Sequence, residues 1–112
     1  MVEWTDVMER FSVGDSLQPL IGSSRLTVDS IDENEICIRQ RLWRACVTRA
    51  ELAVGDGILT SAPAGTTPVQ LSELIRDRYA SGTDVVTDCT RIPNLVAVVL
   101  YNMGVVPNAA PS

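Results

Sequence analysis

Apolar residues near the start of the chain recur at helical spacing. Trp4, Val7, Met8 and Phe11 fall at i, i+3, i+4 and i+7, so residues 3–11 gather them on one face of a short helix. Glu3, Asp6 and Glu9 lie off that face, and Gly14 offers a stop. The period then changes. Residues 24–47 read as a β-hairpin, with a loosely alternating arm up to Ile31 and a second arm from Ile36 to Val47 rich in apolar and β-branched residues. A three-residue loop, Asp32-Glu33-Asn34, would set Asn34 at the left-handed position that asparagine tolerates. Val28 then faces Ile38, Ser30 faces Ile36 and Leu26 faces Gln40. Leu26, Val28, Ile36, Ile38 and Leu42 share one face; Arg25, Thr27, Asp29, Cys37, Arg39, Arg41 and Trp43 share the other. A two-residue loop would oppose Val28 to Arg39 and mix the faces.

Capping chemistry places the next elements. Thr48-Arg49-Ala50-Glu51 is a capping box, with Thr48 as N-cap and Glu51 reaching back, so a helix starts there. Gly55 and Gly57 weaken it by about 1 kcal/mol each and leave its end anywhere from Val54 to Leu59. After a small-residue loop, Thr67-Pro68-Val69-Gln70 repeats the signal with proline at the first helical position. Leu71, Leu74, Ile75 and Tyr79 then mark a helix over residues 68–80, ended by Ser81-Gly82. Val85 to Thr87 could form a short edge strand. Leu95, Val96, Val98, Val99, Leu100 and Met103 are apolar nearly all round, which suits a buried final helix; the valines also suit a strand, and Pro93 before and Gly104 after favour helix. The expected fold class is α+β: an antiparallel β-hairpin, with room for a third short strand, packed against three to four helices. Residues 1–107 are expected to form a single globular domain and residues 108–112 a disordered tail.

Composition narrows the chemistry. The 112 residues are 46% hydrophobic with a net charge of −5, ordinary for a folded domain. No apolar run approaches the roughly 18 residues of a membrane span, and the first residues carry acids rather than a basic signal sequence, so a cytoplasmic protein is expected. Cys37, Cys46 and Cys89 are odd in number and widely spaced, and are expected to be ordinary thiols. Histidine and lysine are both absent, and all nine cationic side chains are arginine. This removes imidazole bases and ligands, Schiff bases and the P-loop lysine. No metal or cofactor site is read, and an enzyme is not expected.

Charge placement is the least average feature. Residues 36–50 hold Arg39, Arg41, Arg44 and Arg49 and no acid, within an acidic chain. Strand periodicity groups Arg39, Arg41 and Trp43. Guanidinium forks with an indole suit a protein-interface hot spot, or phosphate contact and base stacking. Arg39, Arg41, Trp43, Arg44 and Arg49 are therefore the candidate interface residues. The plain alternative is that they pair with Asp29, Glu51, Glu73 or Asp77 while Trp43 packs under a helix.

Other groups read as ordinary surface. Asp29, Asp32, Glu33 and Glu35 lack the EF-hand glycine and read as a solvated turn. Arg76, Asp77 and Arg78 read as a solvated helix face. The order helix, hairpin, three helices differs from the winged-helix order, so no DNA-reading role is carried over. The expected function is a small non-enzymatic interaction module with a protein partner, self-association included. A nucleic-acid-associated accessory protein is the alternative, disfavoured by net charge. A small enzyme using Asp84 and Asp88 is the outsider.

Overall fold

The computed structural model describes residues 2–23, 25–81 and 91–106. Its elements run α1 (Trp4–Arg10), β1 (Ser16–Leu17), β2 (Leu26–Ile31), β3 (Glu35–Gln40), β4 (Trp43–Thr48), α2 (Arg49–Ser61), α3 (Pro68–Ser81) and α4 (Arg91–Asn102). The class is α+β, with one four-stranded antiparallel sheet in the order β1-β2-β3-β4. The expected strand at 85–87, Asp84, Asp88, Cys89 and the tail beyond Val106 lie outside the described residues.

The expected hairpin is half of a meander. Its second arm is two strands, because Gln40 pairs with Trp43 and the chain reverses through Arg41 and Leu42. Leu42 is therefore not on the apolar face but at a turn tip, 87% exposed. Two-residue hairpin turns favour left-handed positions and hence Gly, Asn or Asp. Here neither turn residue is of that kind, and no described non-glycine residue has a positive φ. The same observation corrects Asn34, which does not take the left-handed position.

The β2–β3 register agrees with the sequence reading in its inner half and departs from it at the tip. Val28 faces Ile38 and Thr27 faces Arg39, but Ser30 faces Cys37 and Ile31 faces Ile36, with the shift between Val28 and Ser30. A bulge of this kind sets two residues against one. It brings both Asp29 and Ser30 to the outer face, where Arg44 reaches them, and returns Ile31 to the core side.

Among the described residues, the helices pack against one face of this sheet. Leu26, Val28, Ile36, Ile38 and Val47 join α1, α2, α3 and α4 in one buried cluster. Helix α4 lies against α2, α3 and β4, which explains its lack of a polar stripe: Ile92, Pro93 and Leu95–Leu100 are all buried. It ends in a Schellman motif, with Gly104 at φ 80° and the Val105 and Gly104 N–H groups donating to the Leu100 and Tyr101 carbonyls.

Both capping signals form. Thr48 N–H donates to Glu51 Oε1 at 2.8 Å while Thr48 Oγ1 accepts from Glu51 N–H at 3.1 Å. Thr67 and Gln70 exchange the same pair at 3.0 and 3.2 Å. Helix α2 runs through both glycines to Ser61. The two glycines differ sharply. A Cβ on Gly55 would stand 2.3 Å from Val96 Cγ1, whereas one on Gly57 would meet nothing within 4 Å. Gly55 is thus where α2 closes on α4. Gly55→Ala is expected to lose about 1–3 kcal/mol from overpacking, more than the helix propensity it gains. Gly57→Ala is expected to gain about 0.5–1 kcal/mol. Chemical denaturation of the two variants checks the opposite signs.

Candidate functional site

The sheet face turned away from these helices carries three rungs between β3 and β4. Register pairs Glu35 with Thr48, Cys37 with Cys46 and Arg39 with Arg44, and alternation turns all six away from the helices. The middle rung corrects the expectation of ordinary thiols. Cys37 and Cys46 form a disulfide, with Cα atoms 3.9 Å apart. Disulfides persist where thiols are not kept reduced, so this bond and a cytoplasmic address pull in different directions.

The arginine rung would set two like charges face to face, which disfavours a sheet. Asp29 resolves this from the bulge: its Oδ1 lies 2.9 Å from Arg39 Nη2 and its Oδ2 accepts from Arg44 Nε at 2.5 Å. The Arg44 hydrogen bond, aided by the charges of Arg39 and Arg44, holds the Asp29 carboxyl below the usual carboxylate range. A folded-state value below the unfolded one stabilises at neutral pH, and that stabilisation is lost as pH falls through the lowered value.

Beyond this rung, at the Gln40–Trp43 end of the sheet, three arginines meet. Arg25, Arg39 and Arg41, with Thr27 and Gln40, line an open groove of about 480 Å³. Arg25 and Arg41 are exposed. Among the described residues neither forms an ion pair. Leu42 stands exposed next to Arg41 at the tip.

The candidate interface residues are thus divided. Arg39 and Arg41 come together in the groove, and Arg44 adjoins it through Asp29. Trp43 lies on the opposite face from Arg39, because the reversal at Arg41–Leu42 breaks the period that grouped them. It packs half-buried against the core, with the Arg91 guanidinium 4.9 Å from its ring centroid. Arg49 opens α2 at the other end of β4. Its backbone N–H donates to the Asn34 carbonyl at 2.9 Å. Arg25 was absent from the candidate set although the sequence carried the signal. The register that sets Val28 against Ile38, extended outward, sets Arg25 against Arg41.

The acids at the β2–β3 turn are engaged locally. Asp32 Oδ1 accepts from the backbone N–H groups of Asn34 and Glu35 at 2.7 and 3.0 Å, while Asp29 serves the arginines. No helix among the described residues is long and apolar enough to cross a membrane. In comparisons with known proteins, no family model matches the chain, and neither does any curated protein or solved structure.

Proposed function

We propose that this chain is a non-enzymatic interaction module that holds an acidic segment of a protein partner in the Arg25–Arg39–Arg41 groove. The observation that carries the reading is the convergence of three guanidinium groups on one concave site, two of them outside any ion pair among the described residues. Guanidinium forks take carboxylates in a bidentate geometry that fixes orientation as well as charge. The lining side chains are guanidinium, amide and hydroxyl. None is an imidazole, carboxyl or thiol, which favours binding over proton transfer.

One feature favours a protein over a nucleic acid. Leu42, 87% exposed beside Arg41, offers an apolar contact next to the charge.

A fluorescein-labelled decapeptide of alternating Asp and Glu, followed by anisotropy at low salt, tests this. Arg25→Ser with Arg41→Ser is expected to weaken binding at least tenfold with little change in melting temperature, because both side chains are exposed. Arg49→Ser, at the far end of β4, is expected to leave it unchanged. Equal weakening by Arg49→Ser would point to diffuse electrostatics and overturn the groove. Tighter binding of a single-stranded oligonucleotide of equal charge, lost in the double variant, would replace the protein partner with nucleic acid.

A further inference from the structure

The middle rung of this sheet face sets two sulfurs beside a carboxylate, with Cys37 fully buried. We propose that, once the disulfide is reduced, Cys37, Cys46 and Glu35 bind one zinc ion through two thiolates and a carboxylate. Glu35 and Cys37 are two apart on β3 and Cys46 is the direct partner of Cys37 on β4, so strand geometry presents three donors on one face. Among the described residues, their ligand atoms all lie within 4.8 Å of one another. Glu35 Oε2 already stands 3.4 Å from Cys37 Sγ. Zinc bonds of about 2.3 Å to sulfur and about 2.0–2.2 Å to oxygen need donors spaced by roughly 3.3–3.8 Å. Two sulfurs on facing strand positions reach that spacing once they are no longer bonded.

The surroundings suit the charge. Two thiolates, one carboxylate and a divalent ion sum to a single negative charge, and the next rung, Arg39 and Arg44 with Asp29 between them, sums to a single positive one. The thiolate pair selects a borderline-soft ion such as zinc over calcium or magnesium, which require oxygen ligands. Glu35 and Cys46 are half-buried and Cys37 fully buried, so a water at the fourth position would enter from the side of Cys46 and Glu35.

The chemistry balances with a dithiol reductant. Its two electrons and two protons break the S–S bond, and it leaves as its own disulfide. Zinc then accepts an electron pair from each sulfur and from a Glu35 oxygen, and the two thiol protons pass to solvent. Disulfide and metal exclude each other, so oxidation releases the ion.

Cobalt(II) titration of the reduced chain, in a Cys89→Ser background without oxygen, tests the site. A thiolate-to-cobalt charge-transfer band and tetrahedral cobalt absorption are expected, saturating at one equivalent and displaced by zinc. Cys46→Ser is expected to abolish the band, and Glu35→Gln to weaken binding at least tenfold. The oxidised chain is expected to show no band. Circular dichroism on the same samples follows folding. If reduction loosens the chain, zinc is expected to raise its melting temperature, because a ligand of the folded state stabilises it. Absence of the band together with no zinc-dependent stabilisation overturns the site. An undiminished band in Cys46→Ser overturns the thiolate pair, and unchanged affinity in Glu35→Gln overturns the carboxylate ligand.

Discussion

Leu100→Ala is expected to lower the free energy of unfolding by about 3 kcal/mol or more, within the roughly 2–5 kcal/mol span of such deletions. Leu100 has no exposed surface, and its Cδ1 lies 3.5 Å from the Cβ position of Gly55. Helix α2 meets α4 there at Gly55, which has no side chain to fill the gap. The surrounding wall is β-branched and rigid, with Val96 and Ile75 beside the same point. The loss is a large share of the about 5–15 kcal/mol that holds a domain together. Urea denaturation checks it: the midpoint falls while the slope stays, unless the cavity also loosens the native state. A change below about 1 kcal/mol would mean that α4 is not the centre of the core.

Reduction of Cys37–Cys46 is the second large effect. The bond closes a loop across a sequence separation of nine, for which the loss of unfolded-chain entropy is worth about 2.5 kcal/mol. The inner face of the β3–β4 hairpin is held by Ile36, Ile38 and Val47 in the core, but its outer face and turn have less to hold them. Its turn lacks glycine and asparagine, and its outer rung of arginines depends on Asp29. In the presence of a chelator, reductant is expected to lower the urea midpoint by about 1–2 M. A matched Cys37→Ala, Cys46→Ala variant is expected to behave like the reduced chain and to ignore reductant. Equal midpoints in oxidising and reducing buffer would show that the hairpin is held by packing alone.

Much of the fold was legible because its signals are local. Thr48 to Glu51 and Thr67 to Gln70 announce two helix starts through side chains three residues apart, and the all-round apolar stretch before Gly104 announces the buried helix. The hairpin register followed from matching apolar faces, and it holds for Val28 and Ile38. Other features depended on tertiary context. Arg41-Leu42 carries no turn chemistry, so residues 36–47 read as one strand and Trp43 was placed on the wrong side. β1 is two residues long and exists only by pairing with β2. The disulfide is invisible from spacing alone. Once the reversal is set between Arg41 and Leu42, Cys46 must fall opposite Cys37, and the bond becomes a consequence of register. The groove is half legible: Arg39 and Arg41 stand out in the acid-free stretch 36–50, whereas Arg25, on the same face by register, lies outside that stretch and does not stand out by charge.

The groove's role is tested most directly by nuclear magnetic resonance of the side-chain Nε–Hε groups of arginine. The acidic decapeptide, titrated into the nitrogen-15-labelled chain, is expected to shift the Arg25, Arg39 and Arg41 signals together along one saturable curve, with Arg76 and Arg78 on α3 unmoved. Shifts spread evenly over all the arginines, or confined to those of α3, would contradict the assignment of the partner's acidic segment to this end of the sheet.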